Sequence, residues 1–182
     1  MSTTSDSRFA FVPRRQDPDV ALAAALRSAA GGIPVEIGET KTDVDVRVAP
    51  EHLPRLVQVL TEHADLAFDF LRNVVAIDMG PVDGLAAKYH LYSFRHGHAV
   101  QLTVLTPPGN PHIPSLTSFY AAADWHEREA AEMVGLVFDG HPDLKNLLLE
   151  EDLRIHPLLK SHPLQKVEIL QGIEEGPPGF KF

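Results

Sequence analysis

The most informative segment of the chain covers residues 123–160, with ADWHEREAAEMVGLVFDGHPDLKNLLL at 123–149 and DLRIHPLLK at 152–160. Asp124, followed three residues later by Glu127, forms a capping-box pattern that predicts the start of a helix. Gly135 stands where a left-handed residue would end that helix. Gly140, a His-Pro pair and a run of leucines come next. So many residues with special backbone preferences in so few positions predict a rigid surface with a specific role.

The charged and aromatic residues of the predicted helix have more than one possible role. We expect the ring of Trp125, the only tryptophan, to pack on the domain core, with an interface anchor as the alternative. Glu127, Arg128 and Glu129 span most of the helix circumference, so at least one of them should meet protein instead of water. Two roles stay open for Arg128, namely a bidentate clamp on a partner's carboxylate or pairing within the chain near the helix start.

Periodicity elsewhere predicts an α+β fold, with an antiparallel sheet and helices on one face. The regular segments are a helix over 20–30 begun by Asp17-Pro18, a strand over 44–48, a helix over 51–64, a strand over 68–78, and a hairpin of 89–94 and 100–105 around Gly97. We assign 1–16 to a mobile leader, 17–162 to a single domain and 163–182 to an extended tail. In the tail, Phe180 and Phe182 are predicted to insert into a partner.

Composition limits the function classes. A net charge of −9 argues against nucleic-acid binding. The absence of cysteine excludes disulfides, thiolate zinc sites and ordinary iron–sulfur ligation within the chain. No apolar run reaches the roughly 20 residues that span a bilayer, and the polar N-terminus lacks a signal-peptide core. We therefore expect a cytoplasmic protein without a cofactor that contacts the membrane only through partners.

A metal site is the hypothesis of a different class. His126 and Glu129 share a helical face, and Glu132 adds a third oxygen or nitrogen ligand within two turns. This set predicts a self-sufficient metal-dependent enzyme. The helix dipole and an Arg128–Glu132 pair explain the same acidic residues without a metal.

The segment also resembles the signature of the C subunit of NADH-quinone oxidoreductase, the 30-kDa-subunit family of respiratory complex I. The resemblance runs from near Phe68 to Leu164. Glu132 and Lys145 stand where the family usually has Asp and Arg, whereas Leu159 and Ser161 replace Arg and Asp. The positions that match the signature are Trp125, Glu127, Arg128, Glu129, Met133, Gly135, Gly140, His141, Pro142, Asp143, Leu144, His156, Pro157, Leu158 and Lys160.

The resemblance implies a cofactor-free accessory subunit in the hydrophilic arm of a membrane-bound NADH-quinone oxidoreductase-like complex, peripheral on the inner face of the cell membrane. Its implied partners are the large subunit at the quinone or nickel–iron site and an iron–sulfur subunit. The equivalent subunit of a group 4 membrane-bound hydrogenase or formate hydrogenlyase is the alternative, slightly favoured by Leu159 and Ser161. The expected partner interface joins motif residues to the two phenylalanines of the tail. It comprises Trp125, Glu127, Arg128, Glu129, Glu132, Gly135, Gly140, His141, Pro142, Asp143, Lys145, His156, Pro157, Lys160, Phe180 and Phe182.

Overall fold

The computed structural model describes residues 20–39, 43–150, 153 and 155–162. The predicted leader, the Asp17-Pro18 helix start and the tail with Phe180 and Phe182 lie outside the described residues. The helices are α1 (Val20–Ala30), α2 (Leu53–Glu62) and α3 (Ala123–Val134). The strands are β1 (Val35–Glu39), β2 (Val44–Val48), β3 (Phe70–Gly80), β4 (Gly84–Ser93), β5 (His98–Thr106), β6 (His112–Pro114) and β7 (Val137–Asp139).

The main sheet has the strand order β1-β2-β5-β4-β3. Its neighbours are antiparallel except for β2 and β5, which are parallel. The reason is the connection through α2, which takes the chain from β2 to the far edge of the sheet. Two hairpins then return the chain strand by strand until β5 meets β2. The α+β class is confirmed, and the sheet is mixed instead of wholly antiparallel because of this one pair.

The core lies between the helices and one face of the sheet. The register places Val46, Leu102, Tyr89 and Val74 side by side across four strands, all pointing to that face. The apolar sides of all three helices pack into the same core. The predicted hairpin is confirmed, with Ser93 opposite His98 and Gly97 at a φ of 67° in the turn. Among the described helices, none has the length and apolar character needed to cross a bilayer.

The predicted helices and strands differ from the observed ones mainly at their ends. The helix expected over 51–64 begins at Leu53, after a 3-10 turn over Pro50–His52, and ends at Glu62. The strand β4 starts at Gly84, five residues before the predicted position, because it pairs with the whole length of β3. A small parallel pair, β6 with β7, joins the loop before α3 to the segment after it.

Candidate partner-docking surface

Helix α3 turns one stripe toward the sheet, made of Ala123, Glu127, Ala130 and Val134. The helix ends as predicted at Gly135, which has a φ of 80° and donates its N–H to Ala131 O at 2.8 Å. The capping-box prediction is wrong. The N-cap is Ala122 without a side-chain hydrogen bond, and Glu127 lies on the inward, buried stripe of the helix.

Glu127 is completely buried and holds the loop before α3. One carboxylate oxygen accepts the Ser115 hydroxyl at 2.6 Å, and the other accepts the Leu116 N–H at 2.7 Å. Burial raises the pKa of Glu127, while these two hydrogen bonds oppose the rise. Glu127 is therefore a structural tie within the chain. Ser115 was not assigned a role from the sequence, because nothing local links it to a residue twelve positions later.

His141 fixes the Gly-His-Pro turn to the first turn of α3. Its buried ring accepts the Asp143 N–H at Nδ1, at 3.1 Å, so Nε2 carries the proton. Nε2 lies 3.1 Å from the Asp124 backbone oxygen and 3.3 Å from its carboxylate. Pro142, Asp143 and Lys145 remain exposed beyond this anchor.

Arg128 and Glu132 hold the leucine-rich loop. The Arg128 guanidinium donates to the carbonyl oxygens of Lys145 and Asn146, both at 3.0 Å. The Glu132 carboxylate accepts the backbone N–H groups of Leu147 at 2.9 Å, Leu148 at 3.0 Å, and also Leu149. Arg128 thus pairs within the chain, one of the two roles that the sequence left open.

These contacts remove the support for the metal hypothesis. Burial raises the pKa of Glu132, but the three amide hydrogen bonds and the Arg128 charge outweigh it and lower that pKa, so the carboxylate is anionic and already satisfied. Glu129 is exposed and His126 is half-buried. Within the ranges that the structure describes, no three His, Cys, Asp or Glu side chains converge as a set of metal ligands.

The second His-Pro segment docks on the end of α3. His156 Nδ1 lies 2.8 Å from Glu132 O, and the ring packs on Gly135. The Leu158 N–H donates to Met133 O at 3.0 Å, and the Lys160 N–H donates to the Asp78 carboxylate at 2.8 Å. Pro157 follows His156 on the surface. Asp78, which the sequence placed only in a strand, therefore ties β3 to this segment.

The apolar side chains carried by these fixed elements point to solvent. Trp125 is 65% exposed, Leu148 65% and Leu158 62%. The prediction that Trp125 packs on the core is wrong, because it follows Ala123 by two positions, about 200° around the helix, and so faces away. Leu144 and Ile155 are exposed as well. We call Trp125, Leu144, Leu148, Ile155 and Leu158 the motif surface.

Comparison with known proteins gives concordant results. The family described as "Respiratory-chain NADH dehydrogenase, 30 Kd subunit" matches residues 46–168. The C subunit of the NADH-quinone oxidoreductase of Roseiflexus castenholzii is 38% identical over 123 residues, which is 67% of this chain and 71% of that protein. The same subunit of Mycolicibacterium smegmatis is 35% identical over 141 residues, 76% of this chain and 59% of that protein.

Two solved structures share the fold. A chain of the membrane-bound sulfane sulfur reductase, an archaeal respiratory membrane complex, superposes with a TM-score of 0.69 and 15% identity, covering 89% of this chain and 96% of that one. At that identity the likeness concerns the fold alone. The trypsin-resistant fragment (1-134) of Nqo5 gives a TM-score of 0.53 with 26% identity, over 68% of this chain and 98% of the fragment.

Proposed function

The chain belongs to the family of the 30 kDa subunit of respiratory-chain NADH dehydrogenase, and from this premise we propose that it is an accessory subunit of an NADH-quinone oxidoreductase-like complex. It binds the large subunit at the quinone or nickel–iron site, next to an iron–sulfur subunit, and keeps that subunit in register. It lies on the inner face of the membrane through these partners and performs no chemistry by itself.

The observation that supports the proposal most directly is a division among the motif side chains: the polar ones bind within the chain, and the apolar ones are exposed. The charged and polar motif side chains form hydrogen bonds within the chain, namely those of Glu127, Arg128, Glu132 and His141. The apolar residues on those loops and on α3 stay in water. A preorganised loop loses little entropy on binding, so burial of its side chains converts more fully into affinity.

The composition of the motif surface suits a permanent contact. Tryptophan is enriched among the residues that dominate interface energies, and the exposed leucines of the motif surface supply further apolar area. Exposed side chains of this size stabilise nothing in the free chain, whereas each contributes about 1.5–3 kcal/mol when fully buried. The exposed polar motif residues Glu129, Asp143, Lys145 and Lys160 would form the polar rim of the contact.

The equivalent subunit of a group 4 membrane-bound hydrogenase or formate hydrogenlyase is the second candidate. Leu159 and Ser161, in place of the family's usual Arg and Asp, favour it. Mass spectrometry of the purified complex distinguishes the two. Nickel-binding cysteine pairs in the large subunit identify a hydrogenase, and a flavin subunit identifies the NADH enzyme.

The test of the docking role uses Trp125→Ala and Leu148→Ala in a tagged chain expressed in its source organism. We expect loss of co-purifying subunits, since truncation of an interface anchor costs about 2 kcal/mol or more, a factor of about 30 in binding. The melting temperature of the isolated variants should not change. Val82→Ala is the matched control, since Val82 is 82% exposed but lies outside the motif segment. Intact complexes with both variants would reject the motif surface as the contact.

A further inference from the structure

The face of the main sheet opposite the helices has a distinct composition. The register aligns Arg47, Thr103, Lys88 and Val75 in one row across β2, β5, β4 and β3. The next row holds Leu105, Ala86 and Ile77. We call this side of β2 to β5 the outer face. It shares no side chain with the motif surface, which α3 and its loops carry on the other side of the sheet.

Exposed apolar side chains lie on the outer face of β3 and β5, beside a polar row formed by Asn73, His90, Gln101 and Asp45. Val75 is 39% exposed on β3 and Leu105 43% exposed on β5. Between them Ala86 on β4 contributes only a methyl group and is 1% exposed, so its larger neighbours border a shallow depression that we call the groove. Met79 lies exposed at one end of this groove, and Phe70 and Phe94 lie at the other, with ring centroids 5.2 Å apart.

The charged side chains on the outer face of β3 and β4 are positive, whereas Asp45 on the outer face of β2 accepts hydrogen bonds from Gln101 and Thr103 and pairs with Arg47. Lys88 lies on its floor, and Arg72 lies over the Tyr92 ring at 5.3 Å. None of the outer positions of β3, β4 and β5 is Asp or Glu, since Asp78 turns to the other face to accept the Lys160 N–H. This pattern stands out in a chain with 25 acidic and 16 basic residues.

We propose that the outer face binds an acidic amphipathic helix of a neighbouring protein. The distance from β3 to β5 is two strand spacings, about 9.6 Å, which matches the roughly 10 Å diameter of a helix. The apolar stripe of such a helix would lie on Val75, Ile77 and Leu105. Its carboxylates would meet Lys88 and Arg72, and a helix on each face of a sheet is a stable layer arrangement.

An anionic membrane surface suits the same face less well. Each cation near an anionic membrane surface adds only a weak attraction, and only Lys88 and Arg72 flank the groove. Of the apolar residues of the groove, Val75, Ile77, Met79 and Leu105 lie on strands, and Phe94 stands in the short turn after β4. Complementarity of sign and shape therefore favours a protein helix.

The test replaces Val75 by the photo-crosslinking residue benzoylphenylalanine in the full chain, within the complex assembled in its source organism. Arg55, exposed on α2, is the control position. Mass spectrometry of the product formed at Val75 should identify a peptide of another protein, with acidic residues at the i, i+3, i+4 and i+7 spacing of one helical face. Adding Lys88→Glu should lower the crosslink about tenfold, whereas Lys88→Arg should retain it. Arg72→Glu provides a second charge reversal if Lys88→Glu lowers the melting temperature.

Four outcomes overturn the proposal. They are a crosslink to residues 1–19 or 163–182 of the same chain, a crosslink to lipid, a partner peptide without an acidic helical face, and the absence of any product at Val75. If the complex is intact and one of these outcomes is found, the outer face is rejected as a binding site, while the proposed function is unaffected. The motif surface is tested separately by Trp125→Ala.

Discussion

Arg128 and Glu132 lie one turn apart on α3 and hold adjacent parts of the same loop by complementary backbone groups. Arg128 binds two carbonyl oxygens, at Lys145 and Asn146, and Glu132 binds the N–H groups of the next three residues. The pair would form an ordinary i, i+4 contact on an isolated helix. Here the intervening loop gives each charge several hydrogen bonds, so the helix positions Leu148 at the surface.

The substitution Glu132→Gln should destabilise the domain by roughly 2–4 kcal/mol, because an amide cannot accept hydrogen bonds at its nitrogen and leaves loop N–H groups unpaired. Equilibrium denaturation of the isolated chain measures the loss. Glu129→Gln, the same change at an exposed position of the same helix, should stay within about 0.5 kcal/mol. Equal effects of the two substitutions would contradict the clamp.

The cost of Glu132→Gln should also depend on pH. The pKa of Glu132 is lowered in the folded state, mainly by the amides of Leu148, Leu147 and Leu149 acting against burial. Its stabilising contribution is therefore complete above the ordinary pKa of Glu and disappears as the pH falls through the folded-state value. We expect wild type and variant to converge in acid. A constant difference at every pH would show that the charge of Glu132 does not contribute.

Glu127→Gln should have the opposite pH dependence. Burial raises the pKa of Glu127 in the folded state, so its protonated form is the stabilising one. That contribution is complete below the ordinary pKa of Glu and is lost as the pH rises through the folded-state value. Gln can still accept the Leu116 N–H and donate to Ser115, so the variant should gain stability relative to wild type across this window. Urea denaturation at a series of pH values measures it, and a relative loss at higher pH would contradict the prediction.

Local sequence patterns were sufficient for the elements with strong periodicity. The helix Val20–Ala30, the strand Val44–Val48 and the turn at Gly97 follow from residues that are neighbours in the chain. The parallel pairing of β2 with β5 did not follow, because it depends on where the α2 connection places β3. Strand order is a property of the whole chain, and no local pattern encodes it.

The candidate site shows the same division. Gly135 was recognisable because a helix end needs a left-handed residue, and that requirement is local. Asp124 and Glu127 have the spacing of a capping box, yet Glu127 binds Ser115 and Leu116 instead. The Ser115 hydroxyl and the Leu116 N–H are two donors in a buried site, and they bind the Glu127 carboxylate in place of the N–H groups at the helix start. The exposure of Trp125 follows from the inward stripe of α3, which could be assigned only after the sheet was known.

Gly135→Ala should cost more than the backbone strain alone. A Cβ at Gly135 would lie 2.9 Å from His156 Cδ2, and the residue has a φ of 80°. Gly97→Ala is the matched control, with a φ of 67° and no atom within 4 Å of the new Cβ. We expect about 1 kcal/mol for the control and roughly 2–4 kcal/mol at Gly135, where the ring must also move.

Adding His156→Ala to Gly135→Ala separates the two contributions. The double variant should recover the steric part, so the cost of Gly135→Ala should be smaller in the His156→Ala background than in wild type. Chemical denaturation of the four proteins completes this cycle. Strict additivity would mean that the ring does not determine the cost at Gly135.

Tyr89→Phe should leave stability unchanged or raise it by up to about 1 kcal/mol, although Tyr89 is completely buried. Its hydroxyl has no hydrogen-bond partner among the described residues, and burial and the Glu127 charge both raise its pKa. Removing an unpaired buried hydroxyl also removes its desolvation penalty.

Tyr120→Phe is the control, since the Tyr120 hydroxyl donates to Phe68 O at 2.9 Å in a buried site. That change should cost about 1 kcal/mol, or about 2–4 °C in melting temperature for a chain of this size. If Tyr89→Phe lowers the melting temperature as much as Tyr120→Phe does, the Tyr89 hydroxyl has a partner in solution, and a buried water between it and Glu127 becomes the explanation to examine.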